Sequence, residues 1–329
     1  MDKEQEDMRL LGLFGIYKES YKVIISKRKI FGQITLALIL PLSLIYFAHK
    51  QVTTLLKNRI HNQTSLELEE NSSNTSFTNR ISTEWTWYWI SKIIYFIFFL
   101  LFSLLSVAAV VYTVSSIYAR LDLSFRKIIS VVPKVWKRLI VTFLSILVAF
   151  FIYHVVFLIF FGMWLAFLES KADSTAVLTV ILILYSIGFV YLILIWQLCA
   201  VISVLENIRG FGAMKKSKQL IKGKLWLGFA IVILPILELI AIQVIFEILV
   251  THDLLGLAGR ISFGLLCLVL LMILTLVQLV IQTVVYFVCK SYHHECVDML
   301  ALSNRLELYL PGYERLRSER DVQMEQIRV

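Results

Sequence analysis

Charge is scarce in this sequence, and it is missing in long runs. Asp, Glu, Lys and Arg make up 17% of 329 residues, against 59% hydrophobic residues, and the mean hydropathy is +0.79. Ordinary soluble domains carry roughly 25% charged residues, which clothe a wet surface. Lipid as the solvent explains the deficit. Cysteine is equally sparse: Cys199, Cys267, Cys289 and Cys296 match no disulfide framework or metal-ligand spacing. No Gly-rich phosphate loop, no His-Glu-x-x-His and no Gly-x-Ser-x-Gly occurs. The usual signatures of nucleotide, zinc-protease and serine-hydrolase chemistry are therefore absent. His293-His294-Glu295-Cys296 holds ligand-type side chains, but four adjacent residues rarely close on one ion. Neither metal nor cofactor is expected, and the chain reads as non-enzymatic.

The start of the chain, Met1-Asp2-Lys3-Glu4-Gln5-Glu6-Asp7, is acidic. It resembles neither a cleavable signal peptide nor an Arg-rich transit peptide, so the first hydrophobic segment is expected to act as an uncleaved anchor. The formal charge is +9. Nucleic acid is rejected as the partner, because the positives flank hydrophobic segments and form no single basic face. Anionic lipid headgroups fit that distribution.

What is there is a series of apolar runs. Crossing the hydrocarbon core takes roughly 20 residues of helix. Six segments meet that length: about 32–48, 88–116, 139–168, 176–204, 225–250 and 259–289. The expected fold is all-α, with six transmembrane helices in residues 32–289, between an N-terminal tail (1–31) and a C-terminal tail (290–329). Lys and Arg set the orientation. The stretches 1–31, 117–138, 205–224 and 290–329 hold 7, 6, 6 and 6 of them, leaving 7 on the other side. The positive-inside rule puts both tails in the cytosol. Loop 49–87 is then lumenal. It carries the sequons Asn62-Gln63-Thr64, Asn71-Ser72-Ser73 and Asn74-Thr75-Ser76, which points to the endoplasmic reticulum or later secretory membranes. Trp85, Trp87, Tyr88 and Trp89 mark an interface at the start of the second span.

An internal repeat organises the chain. A basic, partly apolar stretch precedes each odd-numbered span, at 21–29, 125–137 and 214–224. An offset of 194 lays Pro41 on Pro235, each inside its helix, while the middle repeat has no such proline. The inferred unit is a basic interfacial helix followed by a transmembrane hairpin, used three times. Lys27, Arg28, Lys29, Arg126, Lys127, Lys215, Lys216, Lys218 and Lys222 are the candidate headgroup contacts.

Ionisable groups inside hydrocarbon are candidates for function. Glu238 lies near the middle of span five and His154 near the middle of span three. Glu247 sits one turn from Gln243, and Gln278 lies at a depth similar to Glu238. Two readings follow: a protonated Glu238 hydrogen-bonded across helices as structural glue, which is favoured, and a buried cluster of His154, Glu238 and Gln278 that moves a proton or binds a polar headgroup. Residues 298–310 continue the helical pattern to Pro311-Gly312, and a charged tail follows, with a protein partner as one use for it.

The stretch from Ala200 to Trp226 resembles the membrane domain of the glycerophosphoryl diester phosphodiesterase type. There a glutamate ends one membrane helix. A small-residue turn, a basic Ala-x-x-x-Ser helix and a Gly-x-x-Trp follow. Glu206, Ala213, Ser217, Gly223 and Trp226 fit. Residues 34–43, followed by Ala48-His49, also resemble the first helix of an uncharacterised plant multi-pass membrane protein family. Some of its members are labelled polyadenylate-binding protein 1-B-binding protein. The resemblance implies the fold and no reaction, since no phosphodiesterase barrel accompanies it.

Three functions were weighed: a lipid-contacting or partner-organising membrane protein, a transporter or channel, and a membrane-embedded lipid enzyme, in that order. Glu238→Gln separates the first two. Proton-coupled flux in proteoliposomes is expected to be abolished under the transport reading, and flux that survived unchanged would remove the proton relay.

Overall fold

The computed structural model describes residues 11–70, 75–121, 124–166, 174–206, 208–251, 256–293 and 306. Side chains at 60–70, 75–84, 166, 174, 175, 251 and 257 lie outside that description. Every element among the described residues is helical. In chain order they are α1 (Leu13–Ser26), α2 (Arg28–Ile34), a π-helical turn (Thr35–Ile39), α3 (Leu40–Glu70), α4 (Thr75–Tyr118), α5 (Phe125–Ala166), α6 (Ser174–Leu205), α7 (Phe211–Leu220), α8 (Leu225–Phe246), a second π-helical turn (Glu247–Thr251) and α9 (Leu257–Tyr292).

Six stretches are long and apolar enough to cross a membrane: Arg28–Arg59, Trp85–Tyr118, Phe125–Leu165, Ala176–Leu205, Leu225–Val250 and Ala258–Tyr292. They overlie the six expected segments, and the chain is an integral multi-pass membrane protein. In lipid each backbone N–H and C=O must be satisfied within the segment, which makes helix the answer for every run.

The expected loop 49–87 is largely helix. α3 runs on to Glu70 and α4 begins at Thr75. Residues 49–87 contain no Gly and no Pro and include Leu, Lys and Glu. Nothing there breaks a helix once the apolar run has nucleated it. Asn62 falls inside α3, while Asn71 and Asn74 lie outside the described residues. A second difference concerns the basic stretches. Residues 125–137 are the first turns of the 42-residue α5, with Pro133 inside it, and make no separate helix. Residues 21–29 are interrupted at Lys27, between α1 and α2.

The chain divides into two compact units, which are described separately. The first comprises Met1–Ile30, Val107–Pro235 and Gln278–Val329; the second, Phe31–Ser106 and Ile236–Val277. In the first, α5, α6 and α7 pack on one another. Its buried set mixes Val110, Val111, Leu198 and Ile202 with small residues such as Ala109 and Ser203. Between membrane helices the hydrophobic effect offers no gain, so close approach through small residues supplies the packing energy. Three amphipathic faces recur here with one spacing: Ile16, Ser20 and Val23; Ile128, Val132 and Val135; Ala213, Ser217 and Leu220 are all buried. Leu306 is buried as well, and the Tyr112 hydroxyl donates to its carbonyl at 3.5 Å.

In the second unit the π turn precedes Pro41. The Leu40 N–H donates to the Thr35 carbonyl, five residues back. Pro41 has no N–H, and its ring would crowd the carbonyl four residues earlier. The wider π turn relieves that clash. Pro235 in α8 is not preceded by one. Phe47, Ile242, Cys267 and Leu271 form the buried core of this unit, with the Phe246 ring 4.4 Å from that of Phe47.

Candidate functional site

α6 ends at Leu205, and the next residue is the most consequential polar group in the first unit. Glu206 is 5% exposed. Its Oε2 pairs with Lys216 Nζ at 2.8 Å. Its Oε1 accepts from the Tyr286 hydroxyl at 2.7 Å and from Lys290 Nζ at 3.3 Å. Tyr286 and Lys290 stand four residues apart on α9, on one face. One carboxylate therefore ties the end of α6 to α7 and α9. Among the described residues the carboxylate meets two cations, Lys216 and Lys290.

Burial alone pushes the Glu206 carboxyl up. The hydrogen bonds from Lys216 and Tyr286, with the charges of Lys290 and Lys216, outweigh it and hold the group below the ordinary value of 4.5.

Further contacts fix α7. The Ser217 hydroxyl donates to the Ile195 carbonyl of α6 at 3.0 Å, and the His293 Nε2–H donates to the Leu220 carbonyl at 3.0 Å. At its start, Gly210 has φ +62° and donates its N–H to Thr142 Oγ1 of α5 at 3.1 Å. At its end the chain turns through Gly223, at φ +90°. A Cβ there would lie 2.5 Å from Tyr292 Cε1. Lys224 Nζ lies over the Tyr292 ring and 3.4 Å from the Leu11 carbonyl. The pattern noted in the sequence thus acquires physical roles. Glu206 is the hub, Ala213 and Ser217 form the buried face, and Gly223 makes the turn. Trp226 is 89% exposed.

α7 buries Ala213, Ser217 and Leu220 and exposes Lys215 and Lys218, and Lys222 in the turn that follows is exposed too. Lys27, Arg28, Lys29, Arg126 and Lys127 are exposed too. Lys216 departs from the expected set, because its charge is committed to Glu206.

The chain belongs to the family described as domain of unknown function DUF8558. That family's model matches residues 1–327. No curated protein and no solved structure matches the chain.

Of the polar trio named in the sequence of this DUF8558 member, His154 and Gln278 lie in the first unit and Glu238 in the second. His154 Nδ1 bonds the Phe150 carbonyl one turn back, at 2.7 Å. Its ring sits among Phe150, Tyr153, Tyr185 and Phe189, all on α5 or α6. A backbone acceptor on its own helix and aromatic edges satisfy it without a carboxylate. Glu238 belongs to the second unit and is exposed. Gln278, in the first, has both amide atoms buried without a hydrogen-bond partner. Gln243 and Glu247 do come together: with Tyr46, Phe47, Lys50, Gln51, Thr54 and Phe246 they line a cavity of about 40 Å³ in the second unit. That is room for a few waters. Cys289 is buried, and no metal-binding group of His, Cys, Asp and Glu exists among the described residues.

Sequence reasoning placed Glu206 in a pattern but missed Tyr286 and Lys290. The signal was the Tyr-x-x-x-Lys pair closing the last apolar run.

Glu206→Gln removes the anion from two half-buried lysines and is expected to cost ~2–3 kcal/mol, read as a lowered melting temperature in detergent. Because the folded value is depressed, this stabilisation is complete above pH 4.5 and is lost as pH falls through the lowered value. The gap between wild type and variant should be constant from about pH 7 to 5 and narrow below 4.5; a gap widening on acidification would contradict the pairing. Gly223→Ala, which meets both a positive φ and the Tyr292 ring, should lower stability by ~2 kcal/mol in the same assay.

Proposed function

We propose that this chain is a non-enzymatic endomembrane protein whose basic cytosolic surface holds anionic lipid headgroups. The observation that carries this is α7. Its inner face is fixed by Ser217 and Lys216, while Lys215, Lys218 and Lys222 face outward. Phe211 and Trp226 are exposed at either end of the segment. Cations with protruding aromatics beside an apolar span are what an interfacial helix presents to headgroups.

The common spacing of the three buried faces supports a threefold unit of basic amphipathic stretch and transmembrane hairpin, the middle stretch being continuous with α5. An offset of 197 lays Ile16, Ser20 and Val23 on Ala213, Ser217 and Leu220, and an offset of 112 lays them on Ile128, Val132 and Val135. In this reading both termini are cytosolic, residues 49–87 face the lumen, and the sequons are used there. The charged tail that follows Pro311-Gly312 is left for a protein partner. The likeness to the plant multi-pass family and to the phosphodiesterase-type membrane domain belongs to the same reading.

One observation favours the transporter alternative: the unpartnered amide atoms of Gln278 and Gln282 in the first unit. It marks polarity inside the helices but traces no path.

The test uses the full chain reconstituted in vesicles with spin-labelled lipids. Wild type should prefer phosphatidylglycerol over phosphatidylcholine, and salt should weaken the preference. Lys215, Lys218 and Lys222 replaced together by Gln should reduce it several-fold. A preference that survives this replacement would contradict the proposal.

A further inference from the structure

In the second unit a polar contact joins α3 to α4. Lys92 Nζ of α4 lies 3.3 Å from His49 Nε2 of α3. The His49 ring is stacked on that of Tyr95, with 3.6 Å between centroids and 10° between planes. Thr53 Oγ1, one turn along α3, lies 3.4 Å from the same ring nitrogen. An ammonium has hydrogens to give and no lone pair, so Nε2 must be the acceptor. Only a neutral imidazole with its proton on Nδ1 can accept there. The contact therefore exists in one protonation state of His49.

We propose that this contact is a proton-operated latch, in which protonation of His49 ejects Lys92 and loosens α4 from α3. A proton added at Nε2 removes the acceptor and sets an imidazolium against an ammonium. The pair then parts. Lys92 has an alternative on its own helix, the Tyr88 ring, already 5.3 Å from its Nζ. The proton thus binds the open arrangement better than the bridged one, and acid shifts the population towards it. Histidine changes charge between about pH 5 and 8, the range that acidifying compartments cross. In the orientation proposed above, this end of α3 and α4 meets the lumen. The latch does not otherwise rest on the lipid reading.

The surroundings leave that repulsion in place. On α3 the neighbouring titratable groups are Tyr46 and Lys50; on α4 they are Tyr88, Lys92 and Tyr95. Residues 31–66 and 85–106, which hold the facing parts of both helices, contain no Asp or Glu. Glu84 stands eight residues before Lys92, about 12 Å along α4. Among the described residues of this unit, Glu247 lines the small cavity with Tyr46 and Lys50, a lining that His49 and Lys92 do not join, and Glu238 is exposed on α8. Asp253 lies outside the described residues.

The experiment is a distance measurement by double electron–electron resonance on the full chain in nanodiscs. Spin labels on a non-natural amino acid at Leu55 and Trp85 leave the native cysteines in place. Both positions are exposed, and both lie between the latch and the connection of α3 to α4. From about pH 8 to 5 the wild-type distance should lengthen and broaden in one reversible, single-proton step. His49→Gln keeps an oxygen that accepts from Lys92 and does not titrate. Lys92→Gln has an amide that donates to the neutral ring and accepts from the protonated one. Each variant should hold the short distance across the whole range, so the pH step is lost. The two are independent, and either one, once its melting temperature shows it folded, decides the question. A wild-type distance that stays constant over that range would overturn the proposal. A step that persists undiminished in a folded variant would overturn it too, since another group would then carry the proton.

Discussion

A carboxylate buried where a membrane helix ends is the constraint on which the first unit depends. Left alone, Glu206 would take up a proton or pull the chain towards water. Two lysines and a tyrosine hydroxyl reach it instead, from α7 and α9. The ion pairs do little for stability by themselves, since their attraction largely offsets the cost of burying the charges. What they supply is placement. With Lys216 drawn inward, Lys215 and Lys218 are turned outward by the helical period, and Lys222 is exposed in the turn that follows. A single glutamate thus determines which cations are structural and which face the surroundings.

The same logic of satisfied polar groups accounts for other local features. Thr35, Ser106, Thr113 and Thr283 hydroxyls donate to carbonyls four residues back along the chain. His154 does likewise through its ring. Pro41 is accommodated by a π turn, and Gly210 is held by a threonine of a neighbouring helix. In hydrocarbon such local partners are the cheapest available, which is why ionisable and hydroxyl side chains here need not gather into a site.

The six spans were legible in the sequence because lipid imposes uncharged runs that no soluble fold requires. Their ends were less so. Positive charges marked the boundaries at 117–138 and 205–224, but nothing in 49–87 stops a helix, and polarity alone looked like a loop. The trio of His154, Glu238 and Gln278 was chosen by depth along separate helices. Depth says nothing about which face a residue occupies; His154 bonds its own helix and packs among aromatics, and Glu238 belongs to the other unit. Glu206 entered the sequence reading only through the resemblance, as the glutamate that ends a membrane helix. Its partners on α9 are 80 and 84 residues away, a distance that no local pattern spans.

Hydrogen–deuterium exchange of the full chain in nanodiscs tests most directly whether Glu206 pins the basic helix. The account predicts that Glu206→Gln strips amide protection from residues 211–220 while residues 225–246 keep theirs. Unchanged protection across 211–220 in that variant would contradict it.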